Sequence, residues 1–347
     1  MIHFENDYST GAALEILDAL TGTNLEGNTG YGLDCHTARA AELILRECGI
    51  GNGSVFFLVG GTQTNSVALD WLCRPGEGVI CTPEAHINVH ESGAIESNGI
   101  KVITIQSTNG KLRADDIDHY MTEFYADPTW PHMVRPATVY VSQTTEVGTL
   151  YSKEELKRIR EVCDKHHLAL YLDGARLTYS LASPENDLTL RDIASLTDMF
   201  YFGGTKAGAL FGEALIIPGS TDKNRFFSHV KRHGALLAKG WLTGVQFERM
   251  FTDSLYQKIG SRAIGIARLL RNKLLTMGYK EIYPSPTNQL FFEIDDAGIE
   301  RLGEKVVVDV QHRLSENSHL VRFVADWSNS EEDVETLAKC LSASVEK

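Results

Sequence analysis

The amino-acid sequence predicts an α/β protein with a mostly parallel β-sheet, followed by a smaller α+β unit. Three observations support this prediction. Short apolar runs alternate with longer amphipathic stretches through the middle of the chain, as in sheets covered by helices on both faces. The glycine pair Gly60-Gly61 separates one apolar run from a helical stretch. After about Trp241 this alternation ends, and a long predicted helix is followed by short predicted strands.

The apolar runs of the first region predict its strands. They span residues 54–59, 78–81, 101–105, 137–142, 168–172, 199–202 and 214–217. A helical stretch over 62–73 follows the first of them. Residues 153–166 predict a charged amphipathic helix, because apolar Leu156, Ile159 and Val162 recur at helical spacing.

The C-terminal region predicts a different arrangement. A long helix is expected over 245–277, then strands at 282–283, 289–294 and 319–324, a helix over about 300–313 and a final helix from Ser330. A length of 347 residues suggests about two domains. We therefore predict a large domain over 1–244 and a small one over 245–347. No linker rich in Pro, Gly or Ser divides them, so we expect tight packing.

The composition excludes several classes of protein. The chain has 33 Lys and Arg against 46 Asp and Glu, a net charge of −13 and a pI near 5.4. Such a chain lacks the basic surface that binds nucleic-acid backbones. A small anionic ligand is still compatible with this charge, because a few local donors suffice to bind it.

The cysteines and the N-terminus predict a cytoplasmic protein. No run of 18 apolar residues is present, and the N-terminus does not read as a secretory signal. No Cys/His spacing is typical of a zinc site, so no metal is expected. The six scattered cysteines read as reduced thiols: Cys35, Cys48, Cys73, Cys81, Cys163 and Cys340.

Polar residues that directly follow a strand are candidate site residues, because ligands of open α/β sheets bind beyond the carboxyl ends of the strands. In Gly60-Gly61-Thr62, the free N–H groups at the start of a helix suit a phosphate, although a Gly-rich turn without a ligand fits equally well. His86 follows the strand at 78–81. It could stack on an aromatic ligand or relay protons, or be an ordinary hydrogen-bonded histidine.

Two further candidates follow later strands. Asp173, in Asp173-Gly174-Ala175-Arg176, ends a buried strand and therefore requires a partner. A structural pair with Arg176 or a helix N-cap is the alternative. Lys206 follows Gly203-Gly204-Thr205, and its small neighbours could enclose it, which lowers the pKa of a lysine and makes it nucleophilic. A solvent-facing lysine is the alternative.

Together, the residues at these four positions match what pyridoxal phosphate requires of its binding site. A lysine holds the cofactor aldehyde as a Schiff base, and a carboxylate keeps the pyridine nitrogen protonated, so that the ring accepts electrons. A helix N-terminus binds the phosphate and a histidine covers the ring. The order of Gly61, His86, Asp173 and Lys206 along the chain also fits.

Over nearly its whole length the chain resembles the low-specificity L-threonine aldolases, in the β-eliminating lyase group of fold-type-I pyridoxal-phosphate enzymes. The resemblance rests on an ordered set of motifs: Gly30-Tyr31-Gly32, His86 with Glu91-Ser92-Gly93-Ala94, Leu172-Asp173-Gly174-Ala175-Arg176, and Gly203-Gly204-Thr205-Lys206 with Gly212-Glu213-Ala214. It implies an aspartate-aminotransferase-like large domain with a mostly parallel seven-stranded sheet. It also implies a homodimer or homotetramer with shared active sites.

The resemblance also implies a role for individual residues. The implied cofactor contacts are Lys206 with the aldehyde, Gly61 and Thr62 with the phosphate, His86 with the ring face, Asp173 with the pyridine nitrogen, Arg176 with the phenolic oxygen and Lys239 with a neighbouring subunit's phosphate. The implied substrate contacts are Asn6, Tyr31 and Arg322, with Arg322 gripping the carboxylate. Lys206 and His86 are the implied catalytic residues.

The implied reaction is retro-aldol cleavage of L-threonine or L-allo-threonine to glycine and acetaldehyde. Here Gln143-Thr144-Thr145-Glu146 stands where the family often has a histidine that recognises the substrate hydroxyl. His86, a water that it orders or the cofactor phosphate could act as the base. β-Elimination, transamination or racemisation is the alternative reaction, and a non-catalytic relative is the alternative class.

Overall fold

The computed structural model of the chain describes residues 1–303 and 305–342. The strands are β1 Ile2–His3, β2 Gly53–Leu58, β3 Glu77–Cys81, β4 Lys101–Thr104, β5 Arg135–Ser142, β6 Ala169–Asp173, β7 Met199–Gly203, β8 Glu213–Pro218, β9 Lys280–Tyr283, β10 Gln289–Asp295, β11 Val306–Val307, β12 Asp309–Ser315 and β13 Ser318–Val324. The helices are α1 Leu14–Gly22, α2 Cys35–Glu47, α3 Gly61–Leu72, α4 His86–Val89, α5 Ala114–Ala126, α6 Lys153–His166, α7 Leu177–Ala182, α8 Leu190–Leu196, α9 Lys223–Arg232, α10 Trp241–Phe251, α11 Leu255–Thr276, α12 Asp296–Leu302 and α13 Glu331–Ser342. No helix among these residues is both long and apolar enough to cross a membrane.

The large sheet has seven strands in the order β2-β8-β7-β6-β5-β3-β4. The pairs from β7 to β4 are parallel, whereas β8 is antiparallel to both of its neighbours. The prediction of a mostly parallel seven-stranded sheet is therefore confirmed. Helix α6 has the predicted bounds, because a capping box between Ser152 and Glu155 fixes its start.

Alternation along the central strands divides the core into two layers. Val139 and Val141 of β5 belong to one apolar cluster, and Tyr140 belongs to the cluster on the opposite face. Tyr171 of β6 and Tyr201 of β7 lie on the same face as Tyr140. Three buried tyrosines are thus gathered beside the carboxyl ends of their strands.

The C-terminal unit is an antiparallel sheet in the order β12-β13-β10-β9, and Phe292, Val321 and Phe323 lie in its core. The first residues of the chain join this unit, because β1 pairs with β11 and Phe4 lies in the same core. The division into 1–244 and 245–347 stays a prediction.

Two predictions for the C-terminal region are wrong. The predicted helix over 300–313 is the end of α12 followed by β11 and β12, because Gly303 ends the helix and β12 pairs with β13. The predicted helix over 245–277 is interrupted at Thr252–Ser254. This break allows Phe251 and Tyr256, on either side of it, to pack against Phe202 at 5.0 and 5.4 Å between ring centroids.

Candidate functional site

The predicted site segments meet at one edge of the large sheet. Strands β5, β6 and β7 are parallel and end at Ser142, Asp173 and Gly203. Strand β2 points the same way, because it and β7 are both antiparallel to β8. The segments that follow these strands therefore lie along the same edge. Gly174 is required there, since a Cβ atom at this position would lie 1.8 Å from the backbone oxygen of Tyr201.

Asp173 is a buried carboxylate that accepts four hydrogen bonds. The hydroxyl groups of Tyr140 and Tyr201 donate from 2.6 Å each, the backbone N–H of Ala175 from 3.0 Å and the Asn65 amide from 3.1 Å. Burial by itself raises the pKa of Asp173, but these donors outweigh it and hold the pKa below its ordinary value. The ionised carboxylate can therefore pair with a protonated ring nitrogen.

His86 is linked to Asp173 through Glu91 and Asn65. Its Nδ1 lies 2.8 Å from Oε1 of Glu91, which also accepts a hydrogen bond of 2.7 Å from the Asn65 amide. In the neutral tautomer that donates from Nδ1, Nε2 carries the lone pair. Burial lowers the pKa of His86, but the Glu91 hydrogen bond and the charges of Glu146 and Asp173 together raise it above its ordinary value.

Lys206 lies in the loop after β7, and its ammonium is close to the charges of Arg176 and Asp7. Burial and the nearby Arg176 lower the pKa of Lys206, and the charge of Asp7 only partly opposes them. Charged groups act on the Lys206 ammonium through space, and no described residue forms a hydrogen bond with its Nζ. The hydroxyl of Tyr179 donates to its backbone oxygen from 2.5 Å. The amine is therefore available to an electrophile.

Glu213, at the start of β8, is a second buried carboxyl group beside Lys206. It accepts hydrogen bonds from the backbone N–H of Gly204 at 3.1 Å and the Thr205 hydroxyl at 2.9 Å. Burial raises the pKa of Glu213 above its ordinary value. The same threonine oxygen accepts from the Gly212 backbone at 3.0 Å. These bonds fix the loop that carries Lys206.

Helix α3 begins at Gly61, next to the Asp173 cluster. A Cβ atom at Gly61 would lie 3.2 Å from the hydroxyl of Tyr201, the group that donates to Asp173. The N-cap residue Gly60 supplies no side-chain hydrogen bond to the helix. The first-turn N–H groups at Gly61 and Thr62 therefore remain available to an anion, as predicted for a phosphate site.

Arg176 forms a buried bidentate ion pair with Asp7. Its Nε and Nη2 lie 2.7 and 3.0 Å from the two carboxylate oxygens, and the Asn288 amide donates to Asp7 at 3.0 Å. The sequence prediction did not include Asp7. The neighbouring Asn6, which it did include, accepts a hydrogen bond from the backbone of Tyr8 at 2.8 Å. Asn6 thus stabilises the turn that follows Asp7.

Arg322, on β13, has one side-chain donor without a hydrogen-bond partner among the described residues. Its Nη2 lies 2.9 Å from Asp309 of β12, and its Nη1 donates to Gln289 at 3.2 Å. Its Nε is buried and has no hydrogen-bond partner among the described residues. Burial and the charge of Arg176 lower the pKa of Arg322. An unpaired guanidinium N–H suits a carboxylate ligand.

Glu146 lies among these charged groups, in the loop after β5. The Ser142 hydroxyl donates to it at 3.5 Å. Its negative charge raises the pKa values of His86 and Arg176 and opposes the lowering of those of Lys206 and Arg322. This glutamate therefore faces the same pocket as the predicted site residues.

Tyr31 and Lys239 belong to two segments that pack together. The Tyr31 backbone donates to Ala238 at 3.2 Å, and a Cβ atom at Gly240 would lie 2.8 Å from the Gly32 nitrogen. The Tyr31 side chain is 44% exposed. Neither predicted residue hydrogen-bonds to the pocket residues within 1–303 and 305–342.

The sequence predicted candidate site residues but not most of the residues that hydrogen-bond to them. The missed residues are Asp7, Asn65, Glu91, Tyr140 and Tyr201. Asp7 follows the predicted residue Asn6, Asn65 lies three residues after the Gly60-Gly61-Thr62 turn, and Glu91 belongs to the motif with His86. Tyr140 and Tyr201 give one usable signal, since a hydroxyl group at alternate positions of a buried strand needs a partner.

Comparisons with known proteins agree with this geometry. The family model described as Beta-eliminating lyase matches residues 4–280. The chain is 30% identical to a low-specificity L-threonine aldolase of a Pseudomonas species, over 98% of this chain and 97% of that one.

Solved structures also match the fold of this chain. The structure of threonine aldolase from Leishmania major superimposes with a TM-score of 0.95 at 42% identity and covers 98% of both chains. Aspartate aminotransferase of Thermus thermophilus shares the fold, with a TM-score of 0.71 at 16% identity over 98% of this chain and 95% of that one. The predicted aspartate-aminotransferase-like fold is confirmed.

Proposed function

This chain belongs to the β-eliminating lyase family, and we propose that it cleaves L-threonine or L-allo-threonine to glycine and acetaldehyde with pyridoxal phosphate as its cofactor. The observation that carries the proposal is the set of groups around one pocket. Asp173 is an ionised buried carboxylate, and within the described residues neither the Lys206 amine nor the Nε of Arg322 has a hydrogen-bond partner.

The residues of the pocket fit pyridoxal phosphate. The N–H groups of Gly61 and Thr62 suit its phosphate, and Asp173 suits its ring nitrogen. The lowered pKa of Lys206 favours the neutral amine that covalent attachment requires. When bound, the cofactor supplies an electron-accepting ring that stabilises the negative charge left on Cα.

The remaining residues position the substrate and move its proton. Arg322 holds the substrate carboxylate through its free donor, a task that suits a planar guanidinium. His86 removes the β-hydroxyl proton at Nε2, while Glu91 accepts the Nδ1 hydrogen and fixes the ring. Glu146 places a negative charge in the same pocket, which disfavours substrates with an anionic side chain.

We also propose a homodimer or homotetramer in which Tyr31 and Lys239 complete a neighbouring subunit's site. Tyr31 supports this proposal because its aromatic ring is 44% exposed, and Leu33 is 65% exposed beside it. Light scattering after size exclusion tests it, and an active monomer would overturn it. A cytoplasmic location is the matching proposal, supported by six cysteines that are all unpaired.

A product assay tests the reaction. The cofactor-loaded enzyme is incubated with L-threonine and separately with L-allo-threonine, and acetaldehyde and glycine are measured. Equal amounts of the two products from either substrate are expected, and Lys206→Ala is the matched control. Pyruvate, ammonia or a keto acid without aldehyde would instead indicate β-elimination or transamination, and a change only in optical rotation would indicate racemisation.

A further inference from the structure

Asp70, His229 and His233 form a cluster between helices α3 and α9, apart from the pocket residues described above. One ligand atom from each lies within 4.8 Å of those from the other two. Nε2 of His233 is 2.8 Å from Oδ2 of Asp70, and Nδ1 of His229 is 3.8 Å from the same oxygen. The side chains are only 9 to 13% exposed. Three potential metal ligands therefore converge in a half-buried recess.

The two histidines have the spacing that places both rings on one face of a helix. His229 lies in α9, and His233 follows its last residue, four positions later. Residues at i and i+4 are neighbours on a helix surface, and this pair is a recurrent source of two zinc ligands. Asp70 approaches from α3, so a bound ion would join two helices that are far apart in sequence.

A backbone carbonyl fixes the tautomer of His229. Its Nε2 lies 2.9 Å from the backbone oxygen of Val67, to which it can only donate. In the neutral ring the lone pair is then on Nδ1, the atom that faces Asp70. A carbonyl behind a metal-binding histidine is the usual second contact in zinc sites.

The recess already holds one positive group. Nη2 of Arg232 contacts Oδ2 of Asp70 and lies 3.3 Å from Nδ1 of His229. The Arg232 side chain is 66% exposed, so its guanidinium can exchange the contact with Asp70 for solvent. It therefore stands where a cation would bind and can be displaced by one.

We propose that Asp70, His229 and His233 bind a single Zn²⁺ ion, with water as the fourth ligand. Two imidazole nitrogens and one carboxylate oxygen form a ligand set that suits zinc, whereas Ca²⁺ and Mg²⁺ take oxygen ligands. The geometry requires only small side-chain rotations, since the ligand atoms of a tetrahedral zinc site are about 3.4 Å apart. Zinc would hold α9 against α3, and α3 carries Gly61 at its other end.

Calorimetric titration of the metal-free, cofactor-loaded enzyme with zinc chloride tests the proposal. One ion per chain is expected. His233→Gln and Asp70→Asn should each weaken binding at least tenfold, as expected for loss of a ligand. Arg232→Ala should bind zinc more tightly than the parent, because a competing cation is removed. His132→Gln, an exposed histidine elsewhere, is the matched control and should bind like the parent.

Arg232→Ala distinguishes the site from an ordinary ion-pair network. In a network without metal affinity, this variant would bind no more zinc than the parent. Absence of stoichiometric binding, or binding that His233→Gln leaves unchanged, would overturn the proposal. Anomalous scattering at the zinc edge from a soaked crystal locates the ion, and density elsewhere would overturn it equally. Unfolding midpoints without zinc identify any variant that is misfolded.

Discussion

The two ends of the pocket differ in how completely their polar groups are paired. At the large-sheet end, Asp173 accepts four hydrogen bonds, and Arg176 is bound bidentately by Asp7. At the C-terminal end, Arg322 makes one ion pair and one hydrogen bond within residues 1–303 and 305–342, where its buried Nε has no partner. An unpaired buried donor costs free energy, about 1–3 kcal/mol, that a ligand can recover.

This difference separates groups that are held in place from a group that is open to a ligand. Fixed groups such as Asp173 suit a resident cofactor, because their charge and orientation do not change between turnovers. Arg322 suits a substrate that arrives and leaves. The predictions below test each end.

Lys206→Ala should have the largest effect. Loss of the amine at the proposed attachment point removes covalent catalysis, and we expect the rate of aldehyde release to fall at least about 1,000-fold. The visible absorbance of the bound cofactor should change at the same time. Lys280→Ala, an exposed lysine of β9, is the control. Full activity in Lys206→Ala would contradict the assignment.

Arg322→Lys should mainly weaken substrate binding. A compact ammonium group cannot replace the planar guanidinium at this position, so we expect KM for threonine to rise about 10- to 100-fold while kcat changes little. Steady-state kinetics of the cofactor-saturated enzyme measures both constants. Arg313→Lys, on the adjacent strand β12, should behave like the parent. A fall in kcat at constant KM would assign Arg322 to a different role.

Asp309→Asn should have a smaller effect of the same kind. The substitution keeps the shape of the side chain but removes the charge that orients Arg322, and a partly exposed pair of this kind contributes up to about 1 kcal/mol. We therefore expect KM to rise no more than about fivefold. Asp296→Asn, next to His319, is the control. A rise in KM as large as that of Arg322→Lys would mean that Asp309 does more for substrate binding than orient Arg322.

Glu91→Gln should shift the pH profile. Burial lowers the pKa of His86, and the hydrogen bond with Glu91 makes the largest contribution that raises this pKa. Without this carboxylate His86 releases its proton at lower pH. If the neutral imidazole is the base, the acidic limb of the kcat/KM profile moves toward lower pH. Glu84→Gln is the control. A limb that does not move would assign the base elsewhere.

Local patterns predicted the seven strands of the large sheet and helices α3 and α6, because these segments are clear apolar runs or amphipathic stretches. The prediction of a helix over 300–313 was wrong because this segment has no clear period. Its apolar residues, from Val306 to Val310, occur in a short run that fits either a helix or a strand. Pairing with β13 decided the outcome, and this error concealed Asp309 as the partner of Arg322.

The sequence by itself determined the fold class, the family and the candidate site residues, because strand ends and the motifs around Asp173 and Lys206 are local features of the chain. Only the tertiary structure determined which groups form hydrogen bonds and ion pairs with each other. Asp7 pairs with Arg176, Glu91 with His86 and Asp309 with Arg322. The chain order does not specify such pairs, since charge interactions depend on distances that folding alone sets. The paired and unpaired ends of the pocket therefore became visible only in three dimensions.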